Sequence, residues 1–119
     1  MGSSLIFICF IIRNIYNMGK VYLICNGEYF KIGVTNNDIN KRLSKLQTGS
    51  SEELWVRDIF ETSTPFKLEN MLHKKYKSKQ IKNEWFDLNA KDVVNFKKTC
   101  EHLQTILNSL SNNPFIEMN

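Results

Sequence analysis

Histidine is scarce in this chain, and glycine does not occur in the patterns that bind phosphate. The two histidines, His73 and His102, lie far apart in the sequence, which excludes a histidine-rich metal cage. Gly27, Gly33 and Gly49 are isolated, so the sequence contains neither a P-loop nor a dinucleotide-binding fingerprint. No serine stands in a nucleophile elbow. These absences leave kinase and serine-hydrolase functions without support.

Cysteine is also sparse and irregularly spaced. Cys9, Cys25 and Cys100 follow no metal-ligand or disulfide pattern, and their odd number argues against a disulfide framework. We therefore expect a reduced intracellular protein, in the cytoplasm or the nucleus, that is not secreted. Cys25 and Cys100 are expected to lie in or near the core as small apolar residues.

The chain has no long apolar run. Residues 5–12 are apolar, but eight residues cannot span a bilayer, so no membrane partner is expected. With 119 residues in all, we expect one domain at 19–110, an N-terminal extension outside its core at 1–18, and a flexible tail at 111–119. The alternative for the extension is an added strand or helix that covers an apolar face.

Positive charge exceeds negative charge, with a net charge of +4. Such an excess favours polyanionic partners. Between Ser63 and Lys82 the only acidic residue is Glu69, whereas the basic residues are Lys67, Lys74, Lys75, Lys77, Lys79 and Lys82. A lysine run is also typical of a solvated helix face, so nucleic-acid binding needs further support.

The first patterned elements form a hairpin. The β-rich runs at 20–25 and 28–34 are joined by Asn26 and Gly27, a pair that favours a tight two-residue turn with positive φ. That turn places Cys25 opposite residue 28 and makes Tyr22 and Lys31 direct cross-strand neighbours.

Two helices are predicted from apolar spacing. The first is capped within residues 36–38, carries Ile39, Leu43 and Leu46 on one side, and ends near Gly49. A third strand follows at residues 54–61. The second helix starts at Thr64 and Pro65 and has an apolar stripe. The stripe consists of Leu68, Met71, Leu72 and Tyr76.

The C-terminal third closes the domain. Residues 84–86 form a short aromatic strand or turn, and Asn89 and Asp92 cap a last helix. Its apolar positions alternate by three and four, and they are Val93, Phe96, Cys100, Leu103, Leu107 and Leu110. This seam favours packing within the monomer and leaves a homodimer through its second half open. The whole order predicts an α+β fold, a small antiparallel sheet of hairpin plus third strand flanked by about three helices.

Several motifs in register resemble the GIY-YIG endonuclease superfamily. They are Val21-Tyr22-Leu23, Lys31-Ile32-Gly33, Leu46-Gln47-Thr48-Gly49, Glu69 followed by His73 at i+4, and Glu84-Trp85-Phe86. The resemblance covers roughly residues 19–88. It is greatest to the compact branch found in phages and large DNA viruses.

The resemblance implies a phosphodiester hydrolase with DNA as its expected substrate. Tyr22 would help to deprotonate the attacking water, and Arg42 would bind the scissile phosphate. Glu69 would be the single carboxylate ligand of Mg²⁺ or Mn²⁺. An anionic transition state suits both a guanidinium fork and a hard divalent cation. The nucleic-acid backbone would contact Lys45, Lys67, Lys74, Lys75 and Lys77.

The sequence departs from the family pattern at two positions. Lys31 replaces the usual tyrosine of the second motif, and a lysine beside Tyr22 favours the phenolate, a better base near neutral pH. Leu46 stands where many members carry a proton-handling residue, which leaves Tyr22, or else His73, to take the proton. The alternative function is therefore a nucleic-acid-binding module of the same fold with weak or no catalysis.

Overall fold

The computed structural model describes residues 18–111 of the chain. The strands are β1 (Gly19–Cys25), β2 (Phe30–Thr35), β3 (Trp55–Thr62), β4 (Gln80–Lys82) and β5 (Trp85–Phe86). The helices are α1 (Ile39–Thr48), α2 (Pro65–Lys75), α3 (Ala90–Val94) and α4 (Phe96–Ser111), and a 3₁₀ turn, Lys77–Lys79, follows α2. Almost all of the predicted N-terminal extension and of the predicted tail lies outside the described residues.

The strands form one antiparallel sheet in the order β3-β1-β2-β5-β4. This confirms the predicted α+β fold. The hairpin and the third strand are its long members, and β5 is the predicted aromatic strand. The short strand β4 was not predicted, because its three residues are all exposed and carry no apolar alternation.

The predicted register of the hairpin is wrong by two residues. The pairs are Cys25 with Phe30, Ile24 with Lys31, and Tyr22 with Gly33, so the connection has four residues. The cause is the side chain of Asn26, whose Oδ1 accepts hydrogen bonds from the backbone N–H groups of residues 28 (3.0 Å) and 29 (2.7 Å). This Asx-type closure replaces the two-residue turn, and only Gly27 keeps a positive φ, of 98°.

Alternation along β1 divides the core between the two sheet faces. Tyr22 and Ile24 point to the face that α1 covers with Ile39, Leu43 and Leu46. The opposite face is covered by α2 and α4, and its buried residues include Val21, Leu23, Ile32, Leu68, Leu72, Phe96 and Cys100. The apolar spacing predicted for both helices is thereby confirmed.

The predicted helix boundaries correspond to specific caps. The Asp38 side chain accepts a hydrogen bond from the N–H of Asn40 at 3.0 Å, and Gly49 is the C-cap that follows α1. Asn89 and Asp92 form a reciprocal capping box at the start of α3. The predicted last helix is interrupted at Asn95, which separates α3 from α4.

The apolar seam of the last helix is used within the monomer. Phe96 and Cys100 are fully buried, and Leu103 and Leu107 pack against the same core. Leu110 is exposed. A homodimer through this end of α4 stays a prediction. Among residues 18–111, no helix combines the length and the apolar character that crossing a bilayer requires.

Candidate active site

The predicted site residues gather along the edge of β2. Strand β5 is two residues long and pairs only with Phe30 and Lys31 of β2. The backbone N–H and C=O groups of Ile32 form hydrogen bonds there with residues outside β5. Its N–H donates to the carbonyl of Glu84 at 3.0 Å, and its carbonyl accepts from Nε2 of His73 at 2.9 Å. The short length of β5 therefore leaves the C-terminal part of β2, among the described residues, without a strand neighbour on this side.

Arg42 and Tyr22 are in direct contact. Nε of Arg42 donates a hydrogen bond to the phenolic oxygen of Tyr22 at 3.4 Å, and this bond raises the pKa of the arginine, which stays charged. Tyr22 itself is fully buried. Within residues 18–111, the two Nη groups of Arg42 have no hydrogen-bond partner, and the side chain is only partly buried. A guanidinium with two free Nη groups is a two-pronged donor for an oxyanion.

Glu69 carries an unsatisfied buried oxygen. Its Oε2 is shielded from solvent and has no hydrogen-bond partner in the described part of the chain. Burial raises the pKa of this carboxyl, and the negative charge of Glu84 raises it further, while His73 and Lys31 partly oppose the shift. Such a group is stabilised by a cation or a hydrogen-bond donor placed against Oε2.

Lys31 does not lie directly across from Tyr22, although both side chains point to the same face of the sheet. Its Nζ is 2.9 Å from a carboxylate oxygen of Glu84 and 5.7 Å from the centre of the Trp85 ring. The predicted direct contact between Lys31 and Tyr22 is therefore wrong. The register shift places Gly33 opposite Tyr22, and the lysine pairs with an acid instead.

The role of His73 is limited by its hydrogen bond. Because the carbonyl of Ile32 can only accept, Nε2 must carry the proton, and Nδ1 is the nitrogen left for exchange. The ring also packs edge-on against Phe86, with centroids 5.0 Å apart. His73 shares a helix face with Glu69, as the i, i+4 spacing predicted.

The donor chemistry of Glu69 fits a hard divalent cation. Mg²⁺ often uses one or two protein carboxylates and keeps several waters. In the part of the chain that the structure describes, no three His, Cys, Asp or Glu side chains come together as a metal-binding group. Glu69 is thus a single candidate ligand. Glu84 is the other carboxylate close enough for its charge to raise the pKa of Glu69.

All five lysines predicted to bind nucleic acid are exposed. Lys45 lies on α1 beside Arg42, while Lys74 and Lys77 line a shallow pocket with His73. Nζ of Lys75 lies 5.8 Å from the ring centre of Tyr76. Lys67 is exposed on α2 and lines neither pocket. The lysines therefore border the site on two sides rather than forming one patch.

Sequence reasoning missed the ion pair of Glu84 and did not consider Phe66. Glu84 was interpreted as part of a turn, but its carboxylate pairs with Lys31. Phe66 was not considered, although it falls outside the apolar stripe of α2 and is 60% exposed. An aromatic residue off the stripe of an amphipathic helix was the available signal for Phe66.

Comparison with protein families finds a match between residues 11–101 and the family model described as the T5orf172 domain. The matched range is more than half of the chain. This phage-associated domain is related to nuclease-type folds, which indicates a nuclease-like or DNA-binding module. Neither the curated proteins nor the solved structures gave a match.

Proposed function

The chain belongs to the T5orf172 domain family, and on that basis we propose that it is a divalent-metal-dependent endonuclease of the GIY-YIG type. The proposed reaction is hydrolysis of a nucleic-acid phosphodiester bond, with DNA as the substrate. The observation that carries this proposal is that two charged groups of the candidate site are each left without a full set of partners among the described residues. Arg42 offers unpartnered Nη donors, and Glu69 offers an unpartnered buried oxygen.

Arg42 is assigned to the scissile phosphate. A guanidinium fork matches two phosphate oxygens, and it binds most strongly when negative charge accumulates on them in the transition state. The bond from Nε to Tyr22 holds the guanidinium, and its two Nη groups have no hydrogen-bond partner among the described residues. A preorganised cation of this kind stabilises the transition state without having to reorient during the reaction.

Glu69 is assigned to Mg²⁺ or Mn²⁺. When bound, such a cation supplies positive charge to the phosphate and to the leaving oxygen. Glu69 contributes an ionised oxygen that faces no competing donor in the described chain. Since burial and Glu84 favour the protonated form of this carboxyl, a cation at Oε2 would shift it to the ionised form.

Tyr22, in its phenolate form, is proposed to receive the proton of the attacking water, and Nδ1 of His73 is the second candidate. The oxygen of the water forms the new bond to phosphorus, and the bond to the leaving oxygen breaks. Lys31 lies on the same sheet face as Tyr22, and its positive charge is proposed to favour the phenolate of Tyr22. The ion pair with Glu84 offsets part of that charge. The exposed lysines at positions 45, 67, 74, 75 and 77 are proposed to contact backbone phosphates without reading sequence.

Plasmid cleavage tests the proposal. Supercoiled DNA is incubated with Mg²⁺ or Mn²⁺ and wild type, Glu69→Ala or Arg42→Ala, with Glu61→Gln and Arg57→Ala as matched controls at exposed positions of β3. We expect the controls to nick at the wild-type rate and the two site variants to lose roughly 100-fold or more. Equal nicking by wild type and Glu69→Ala would rule out the metal assignment.

A binding module with little or no turnover is the second candidate. The observation that favours it is the complete burial of Tyr22, which restricts access of water to the phenolic oxygen. Wild-type protein that binds DNA and cleaves nothing with either metal would establish this alternative. Cleavage that depends on Glu69 would reject it.

A further inference from the structure

A pocket of about 470 Å³ lies beside Arg42, between the first turns of α1 and α2 and the end of β2. We call it the Phe66 pocket, and the residues that define it are Asn36, Asn37, Lys41, Arg42, Lys45 and Phe66. Its size falls within the range of about 300–1,000 Å³ that is usual for small-molecule sites. Of the described residues, none that lines it is acidic. The pocket is therefore suited to an anionic ligand.

The exposure of Phe66 is not explained by packing in the core. Its side chain is 60% exposed, whereas Leu68 and Leu72 on the same helix are fully buried. An aromatic ring that is mostly in water contributes less to folding than a buried one, and here it lines a pocket with three cations. Its ring offers a flat apolar surface within a polar, positively charged cleft. That combination is typical of sites that stack nucleobases.

The position of Phe66 relative to Glu69 is set by the helix. Phe66, Glu69 and His73 are spaced by three and four residues, so they lie along one face of α2. Three residues correspond to a rise of about 4.5 Å. Arg42 borders the same pocket from α1. A phosphate between Arg42 and Glu69 would thus have an aromatic ring within about one nucleotide of it.

We propose that the Phe66 pocket receives one unpaired nucleobase of the substrate, stacked on Phe66 next to the phosphate that Arg42 binds. The inference rests on the proposed function, and it adds a preference for nucleic acid with an unpaired nucleotide at the cleavage site. A base inside a duplex has both faces covered by its neighbours. Only a base in a gap, a flap or a single strand offers a free face to Phe66.

The other residues of the pocket match the remaining parts of a nucleotide. Lys41 and Lys45 are one helical turn apart on α1 and point their charges to the same side, where they would bind flanking phosphates. Asn36 and Asn37 are exposed, and their side-chain amides make no hydrogen bond within the described residues, although Oδ1 of Asn36 packs against Gly19. Amides can donate to and accept from the edge of a base.

Binding, measured separately from cleavage, tests the inference. Glu69→Gln serves as the background so that DNA stays intact, and two fluorescent probes are compared by anisotropy in low salt. One is an intact duplex, and the other is the same duplex with a short gap that leaves 2-aminopurine unpaired. The variants added to the background are Phe66→Ala, Phe66→Leu and, as an exposed aromatic control outside the pocket, Trp55→Ala.

We expect the background protein to bind the gapped probe about tenfold more tightly than the intact one, which corresponds to about 1.4 kcal/mol. Phe66→Ala should abolish this difference, Phe66→Leu should keep little of it, and Trp55→Ala should keep it all. The quenching of 2-aminopurine fluorescence on binding should be lost in Phe66→Ala and Phe66→Leu and retained in Trp55→Ala. Circular dichroism of each variant controls for folding.

Equal affinity of the background protein for both probes would overturn the inference, and so would a gap preference that survives Phe66→Ala. Absence of binding to either probe would overturn it too. None of these results decides the proposed function, because plasmid nicking by the wild type and its loss in Glu69→Ala are measured independently. Nicking without gap preference would leave an endonuclease that acts on paired DNA.

Discussion

The phenol ring of Tyr22 lies directly over Gly33, its partner on the neighbouring strand. A Cβ atom added to Gly33 would stand 2.3 Å from the phenolic oxygen and 2.5 Å from Cζ of Tyr22. The missing side chain thus makes room for a fully buried tyrosine whose oxygen reaches Arg42. Gly33 is required here for the close approach of an aromatic ring rather than for an unusual φ.

Gly33→Ala is expected to destabilise the protein and to disturb the site together. Since the ring of Tyr22 is enclosed, the added methyl group must shift it, at a cost of about 1–3 kcal/mol. Urea denaturation followed by circular dichroism measures the change. Gly49→Ala is the matched control, because its added Cβ would meet nothing closer than the Leu46 carbonyl at 3.8 Å. Equal stability of the two variants would contradict the close packing of Tyr22 on Gly33.

Tyr22→Phe separates the packing of this ring from its chemistry. The variant keeps the buried ring but removes the oxygen that accepts the hydrogen bond from Arg42. We expect a stability loss of only about 0.5–1.5 kcal/mol, with cleavage reduced far more than that loss accounts for. Nicking rates under single-turnover conditions give the measurement, and Tyr29→Phe in the hairpin loop is the control. Normal cleavage by Tyr22→Phe would remove Tyr22 from the proposed mechanism.

Local signals predicted most of the fold. The spacing of Ile39, Leu43 and Leu46 identified α1, and Thr64 followed by Pro65 marked the start of α2. The hairpin was predicted, but its register was not. Register depends on whether the side chain or the backbone of Asn26 closes the turn, and the residue pair is compatible with both.

The roles assigned to the candidate site residues stay predictions, and some of their predicted contacts are wrong. Arg42 contacts Tyr22, whereas the charges that act on Glu69 are those of Glu84, His73 and Lys31. The pairing of Lys31 with Glu84 depends on β5 lying next to β2, a contact between distant parts of the chain that no local pattern reports. The burial of Tyr22 depends in the same way on α1 covering its face of the sheet.

Cys100 is expected to resist thiol reagents in the folded protein. Burial raises its pKa to about 12, and the negative charges of Asp58 and Glu101 add to the shift, so the reactive thiolate is almost absent at pH 8. Cys25 is only partly buried and should react first. Labelling of a Cys9→Ser variant, followed by peptide mass spectrometry, measures both sites. In denaturant the two cysteines should react alike, and equally fast labelling in the native state would contradict the buried position of Cys100.

Glu69→Gln is expected to stabilise the metal-free protein. The folded state raises the pKa of Glu69 above its ordinary value of 4.5, first through burial and then through Glu84. The folded protein therefore binds more protons than the unfolded chain between these two values, and its stability falls as pH rises through that window. Below the ordinary pKa the free-energy cost of the buried charge is absent, and above the raised pKa it is complete.

At neutral pH, Glu69→Gln should increase the free energy of unfolding by about 1 kcal/mol, which corresponds to roughly 4–8 °C in Tm. The gain is small because solvent partly screens the charge of a half-buried carboxylate. Thermal unfolding in EDTA at pH 4 and pH 7.5 should show this gain only at the higher pH, and Glu61→Gln should show none. Loss of stability in Glu69→Gln at pH 7.5 would mean that Oε2 has a partner in the folded protein.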